Sequence, residues 1–496
     1  MRGNFHKYTE PDVYKKEYRV DKFYGVDGIS PDETLSLGYA KYMCNLSVSN
    51  GRISGCFGVD NAMTDGKIIP CGALIGKLVK SAGIYRKNNY VNGENCDIVV
   101  YQMSDNKIYT AEIGKDETLT DTSIEVADGK TNFLNYYYND KDNLLIFDSN
   151  GTLNIYDGSS NTQQTELPVF ADVCVHKGRI YGIVNKNENE LKFSAPYNPL
   201  EWKEGTDGAG RIKFTDEGGA LRKIIECGNE LFIIRDYAIY KLTAYEDMSE
   251  YTLIKVFVGD SRIYSETAVS INNKLIFMTE DGFFSYNGKT FEKVWRDIFP
   301  YIDNAEYAAA IGCGDRYYLT AHFVTEGDEL IGDEEYCNYN NGIMAVSVLT
   351  GSVSFLRGAD ASKFLKCNYG GKTYVLIEHS PGIRAMQLGM ITDDGKIYDK
   401  SVKKIWRSPK TPLSYITSDK VLRKFYIKTN VPLNVTLSLD KDYEFALPAS
   451  TKIQSVTVNK RAETIAVKIE TSGENPLICG FYLDLELVDR REYGGY

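Results

Sequence analysis

The stretch Leu145-Ile-Phe-Asp-Ser-Asn-Gly151-Thr-Leu-Asn-Ile-Tyr156-Asp-Gly158 has a near twin at Leu275-Ile-Phe-Met-Thr-Glu-Asp-Gly282-Phe-Phe-Ser-Tyr286-Asn-Gly288. In both, an apolar run meets a Gly-containing turn, resumes, and stops at a second Asx-Gly turn. That is the pattern of an antiparallel hairpin followed by a further reversal. Looser copies lie at 230–240 and at 96–101 with 106–109, and short apolar segments recur at 171–176, 179–184, 267–270, 316–321, 342–348 and 373–377. Units of roughly 40 to 50 residues, each holding about four strands, have the spacing of β-propeller blades. The sequence therefore predicts an all-β chain with a propeller of six or seven blades over residues 76–395.

On either side of this region the pattern changes. Segments 422–428, 434–439, 453–458, 464–469 and 481–488 largely alternate apolar with polar residues. Such a period of two suits a sheet buried on one face, so residues 396–496 are expected to form a C-terminal β-sandwich. Residues 1–75 carry no blade pattern. They read as an N-terminal extended arm and docking segment, laid on a neighbouring surface or folded back across the propeller. The best helical candidate in the chain is the short stretch 33–44.

Composition agrees with strands: 37 Tyr and 21 Phe favour pleated surfaces, and 43 Gly with 13 Pro supply turns. No window holds the run of apolar residues that a spanning helix needs, so no membrane insertion is expected. The opening residues Met1 to Tyr8 lack an apolar core, and no standard export signal is expected. The ten cysteines are scattered without a C-x-x-C pair, which reads as buried thiols in a reducing compartment. A net charge of −11 argues against a phosphate-binding surface. An acidic wall along a passage that DNA slides through is the sharper reading of that charge, and a bland acidic surface is the plainer one.

Three phrases carry a resemblance. The first is Phe23-Tyr-Gly25-Val-Asp27-Gly-Ile-Ser30, continuing through Gly38-Tyr-Ala40-Lys-Tyr-Met43-Cys-Asn45 to Gly51-Arg-Ile53. The second is Ser194-Ala195-Pro-Tyr-Asn198-Pro199-Leu-Glu-Trp202, and the third joins Ile405-Trp406-Arg-Ser-Pro409 to Lys420-Val-Leu-Arg423-Lys-Phe-Tyr426. Together they resemble tail nozzle or stabilisation-type β-propeller virion proteins of tailed bacteriophages. Asp27 departs from the Asn common at its position, and the acidic run 326–335 has no counterpart in the pattern. The resemblance implies a structural role in the virion tail, after synthesis in the bacterial host cytoplasm. The chain would act as a nozzle, hub or channel-closing component that retains and guides DNA. It further implies a ring homo-oligomer, often a hexamer, that meets tail adaptor, portal-side and fibre proteins. Genomic DNA would pass through the channel without specific binding.

Enzyme chemistry finds little to use. The four histidines, His6, His176, His322 and His379, make no H-E-x-x-H phrase, and G-x-S-x-G is absent. Cys174 and His176 would share a strand face, yet two ligands alone make a poor metal site. S-x-x-K occurs at Ser104 to Lys107, Ser401 to Lys404 and Ser438 to Lys441 without an accompanying K-T-G. Gly205 to Gly210, Gly288 to Thr290 and Gly371 to Thr373 lack the spacing of a phosphate cradle. Residues 139–143 offer oxygen ligands but lack the Gly and distal Glu of a calcium loop, so an Asx turn is expected there. We therefore expect no catalytic, cofactor-binding or metal residues, and no cofactor. Two alternatives stay open. One is a carbohydrate- or receptor-binding propeller using Tyr136 to Tyr138 as a stacking surface, against a strand with alternate rings buried. The other is a glycosidase-like propeller enzyme, which needs two facing carboxylates.

Overall fold

The computed structural model describes residues 13–61, 78–87, 97–113, 119–185, 189–244, 248–325, 339–378, 388–398 and 400–489. The acidic run 326–335, His6, His379, Cys71, Cys96 and Cys337 lie outside these residues.

The decisive hairpin is formed by Lys141–Phe147 and Leu153–Tyr156. Its apolar run is continuous because both faces are covered. Leu144 and Ile146 join the core shared with the preceding sheet, and Leu145 and Phe147 join the core shared with the next. The turn entering this hairpin, Asn139-Asp140, has both residues at positive φ, 52° and 56°, as a two-residue type I′ turn requires. The turn is confined to 139–140, and 141–143 already belong to the strand, so the Asx turn expected over 139–143 gives way to a hairpin turn set by strand pairing.

Repetition of this unit makes a seven-bladed β-propeller. Blades one to five run in strict chain order. Their innermost strands are Val79–Tyr85, Asn132–Tyr138, Phe170–His176, Leu221–Cys227 and Ile263–Ile271, and each starts a four-stranded antiparallel sheet. Blade six begins with Ile302–Cys313 and ends with Val353–Arg357. Blade seven takes Lys363–Tyr369, Lys372–Glu378 and Leu388–Thr392 from its own region, and Gly58–Asn61 from far upstream completes it. Successive innermost strands lie side by side, and Lys363–Tyr369 meets Val79–Tyr85 to close the circle.

Among the described residues no backbone ladder joins one blade to the next; apolar packing, side-chain bonds and single backbone bonds such as Ile263 N–H to Asp236 O hold the seams. Asn135 Nδ2 donates to the Ile84 carbonyl, and Asn132 Nδ2 donates to that of Phe170. The Asp172 carboxylate accepts from the Ile224 amide at 2.8 Å. The Tyr317 hydroxyl donates to Thr267 O, the Asn340 amide to Ala361 O, and the Asn368 N–H to Asp97.

The sandwich follows. One sheet holds Ser450–Ala462, Ser418–Thr429 and Leu477–Asp489, and the other holds Asp442–Leu447, Leu433–Ser438, Ala466–Thr471 and Lys404–Arg407. Trp406, Phe425 and Phe481 are fully buried between them. Of the two destinations open to residues 1–75, the described part takes its own chain, and it does so as integral strands rather than as an appended arm. Val13–Val20 pairs along Leu477–Asp489, and Tyr42–Cys44 pairs with Lys404–Arg407. Leu46–Ser49 and Arg52–Gly55 bridge blade six to the first sandwich sheet. The sheets therefore ignore the boundaries at 75 and 395. The physical reason is that a strand's partner is set by backbone pairing and a shared core, neither of which needs proximity in sequence.

Stretch 33–44 is not a helix. A single 3-10 turn, Asp32–Thr34, gives way to extended chain that buries Leu35 and Leu37. Gly38 sits against the Lys22 carbonyl, where an added Cβ would come within 2.6 Å. Tertiary packing there overrides the local preference.

Candidate functional site

The residues weighed for chemistry are scattered by the fold. His176 is buried, and its Nδ1 lies 2.9 Å from Glu226 Oε1 across the seam between blades three and four. Cys174 lies nearby, and burial pushes its thiol up to about 12, so it holds its proton. His322 is half exposed and faces Asp303 at 3.0 Å on blade six. The strand alternation turns it outward while Ala321 and Phe323 point inward. Among the described residues no group of three His, Cys, Asp or Glu is placed to hold a metal ion.

The S-x-x-K lysines fare no differently. Lys404 is buried and donates to the Val402 carbonyl at 3.2 Å, with burial lowering its pKa, while Ser401 is exposed. In the Tyr run, Tyr136 is buried and its hydroxyl donates to Gly178 O, Tyr138 packs partly against the core, and Tyr137 alone is well exposed. This is a strand with alternate rings buried, and it offers no stacking platform.

A charged group assembles where the sequence marked nothing: at the mouth of the propeller axis. Lys223 lies 3.4 Å from Glu266, bridging blades four and five. Glu266 also feels Lys363 of blade seven and Lys130 at the start of blade two, so charges from opposite sides of the ring attract one another across the axis. Attraction by Lys223 holds the Glu266 carboxyl below its ordinary range, although 65% of the side chain reaches water. Burial acts the other way on two neighbours: it raises the Glu378 carboxyl and lifts Asp172 to about 6.

Asp172, Lys223, Glu266 and Lys363 lie on the inner strands of blades three, four, five and seven, Lys130 just precedes that of blade two, and Glu378 ends the second strand of blade seven. A motif search does not find so dispersed a set. The one ion pair of the group closer than 4 Å among the described residues is Lys223–Glu266. That pair ties blades four and five together at the axis.

Charge is divided between the two units. Residues 76–395 hold 31 Lys and Arg against 47 Asp and Glu, whereas residues 396–496 hold 17 against 12. On the sandwich, Lys452, Lys460 and Arg461 lie along Ser450–Ala462, a thirteen-residue strand paired on one side only. Lys15, Lys16 and Arg19 lie along Val13–Val20 at another edge of the same sheet.

No protein-family model and no curated protein matches the chain. Solved structures similar to it include BBS1N in complex with ARL6DN, with a TM-score of 0.43 at 10% identity, covering 66% of this chain and 97% of that one. Raptor from Chaetomium thermophilum gives a TM-score of 0.42 at 10% identity, over 70% of this chain and 30% of that one. BamB from Moraxella catarrhalis gives 0.35 at 10% identity, over 77% and 98%. The chain is an all-β protein with a β-propeller-like fold of four-stranded antiparallel blades.

Proposed function

We propose that this chain is a structural subunit of a phage tail, of nozzle or stabilisation type, working as a closed ring of copies. The observation that carries the reading is the division of charge. An acidic propeller and a basic sandwich on one chain attract head to tail, and such a heterologous contact closes into a ring when its rotation fits. Acidic propeller walls facing the centre of such a ring would repel DNA phosphates and let the genome slide. The passage in this reading runs between copies, since charge pairs span the axis within one copy.

The phrases that carry the resemblance support the same reading by their placement. Phe23 from the first packs edge-on against Trp406 from the third, with ring centroids 5.2 Å apart. The second phrase forms a closed turn. Trp202 Nε1 donates to Pro199 O at 2.8 Å, and the indole packs on Phe170 at 4.7 Å, tying the turn to the first strand of its blade. Such residues hold shape, as a mechanical part requires.

Mass photometry and electron microscopy of the purified chain at low and high salt test the proposal. Closed rings at low salt that loosen as salt screens the contact are expected. A monomer at every salt and micromolar concentration overturns it.

A further inference from the structure

Where the sandwich meets blades five and six, a cleft of 630 Å3 opens between the loop at 22–26, the turn at 49–51, and residues 295–298 and 350–353. Its size falls in the range of small-ligand pockets, and it sits at a junction between units, where such pockets concentrate. We propose that this cleft binds an acidic saccharide.

Aromatic surface comes first. Tyr24 stacks on Tyr39, with centroids 4.8 Å apart and planes 22° from parallel, and Tyr24 is 53% exposed. Opposite stands Trp295, whose ring is braced by Phe283 at 5.4 Å and Tyr317 at 5.2 Å. Its backbone takes φ of 51°, a left-handed conformation costly for a bulky side chain. Strain of that kind persists where surrounding packing enforces it, and it clusters at binding sites. Rigid Tyr and Trp faces give amphipathic contact area at little entropic cost, which suits the C–H faces of a sugar ring.

An excess of positive charge comes second. Lys22 Nζ lies 5.6 Å from the Tyr24 ring centre, and its stem lies across Gly51, where an added Cβ would come within 2.6 Å of Lys22 Cγ. Gly51 takes φ of +74°, so the turn keeps room for that stem. Lys22 and Arg296 are both exposed, and neither makes a side-chain hydrogen bond or ion pair with a described residue. Asp297, beside Arg296, is the one carboxylate among the residues lining the cleft, which therefore carries two cations against one anion. Two cations beside aromatic faces fit a carboxylate or sulfate carried on a sugar. Hydroxyls of Ser49, Thr350 and Ser352 and the Asn50 amide on the rim suit its hydroxyls.

Backbone disposition argues against an extended acidic peptide. Such a peptide binds by adding to a free strand edge. Here the floor's backbone is already bonded: Phe23 N–H to Gly51 O, Tyr24 N–H to Gly38 O, and Gly28 N–H to Asp297 O. Recognition is left to side chains. The inference stands whether or not the chain forms rings.

The test is calorimetric titration of the full chain with a galacturonic acid trisaccharide, the matching neutral galactose trisaccharide and a short polyglutamate peptide. The uronate is expected to bind with a dissociation constant of about 1 mM or tighter, and the neutral sugar roughly tenfold more weakly. Lys22→Gln, Arg296→Gln and Tyr24→Ala should each weaken the uronate by roughly tenfold at unchanged melting temperature. Absence of uronate binding, equal affinity for the neutral sugar or the peptide, or variants that bind as the parent does would each overturn the proposal.

Discussion

Asn161–Gln164 and Gly58–Asn61 hold the same place, the fourth strand, in blades two and seven. Their surroundings are opposite. The first is exposed along its whole length, whereas Gly58, Val59 and Asp60 of the second are buried. The first is also chain-adjacent to the strand it pairs with, while the second is separated from Leu388–Thr392 by more than three hundred residues. A local blade closes by its own turns. Blade seven closes only when the upstream strand arrives, and that strand is already tied to the sandwich through Arg52–Gly55. Residues 52–61 therefore serve both the sandwich sheet and the closing blade, and their pairing carries the loop-closure cost of a long separation.

The sharpest way to break this comparison is to place one charge in each strand. Val59→Asp buries an unpaired carboxylate in the closing strand and should cost on the order of 3–5 kcal/mol. Thr162→Asp on the outer strand of blade two should stay within about 0.5 kcal/mol. Urea unfolding followed by near-ultraviolet circular dichroism reads both, and equal losses would erase the distinction.

Next in size is Trp406→Ala, which removes a fully buried indole from the sandwich core, with an expected loss of about 3–5 kcal/mol. Because Phe23 comes from the opposite end of the sequence, a double-mutant cycle of Phe23→Ala with Trp406→Ala should show about 1 kcal/mol of coupling. Strict additivity would mean that the two ends merely coexist in one core.

A smaller effect is expected at Asp172. Its carboxyl is lifted by burial from 3.8 to about 6 in the folded chain, so the fold binds this proton more tightly than the unfolded chain does. The contribution is fully present below about pH 4 and is lost as pH rises through 6. Asp172→Asn keeps an acceptor for the Ile224 amide and removes that slope. It should stabilise the chain at pH 7 by about 1 kcal/mol, since the group is partly wet, and do nothing at pH 4. Denaturation at several pH values checks it. Smallest of all, Lys223→Ala at the axial mouth should cost under about 1 kcal/mol, because Glu266 is largely hydrated. A markedly larger loss would make the axis a structural keystone.

Much of the blade region was legible. The hairpin read at 145–156 and its twin at 275–286 stand where expected, because both strands and their turn lie in one short segment. The sandwich strands 434–439 and 464–469 were likewise readable from alternation, as Leu433–Ser438 and Ala466–Thr471. Asp442–Leu447 was missed, since Asp442 and Glu444 with Lys441 give it the look of a polar loop. At the axial mouth, Lys130, Lys223, Glu266 and Lys363 are ordinary surface charges in sequence. Only the ring brings them together.

By itself the sequence determined the kind of local structure: short Gly- and Asn-turned hairpins, apolar on both faces in the blades and alternating in the sandwich. Periodicity and turn chemistry act within a few residues, so they can be read without a partner. The tertiary structure alone decided that the ring has seven blades, that residues 13–61 are shared between two units, and that a cleft forms at their junction. Those outcomes depend on which distant strands bury each other's surfaces, and backbone hydrogen bonds, being the same for every residue, carry no label of the partner they choose.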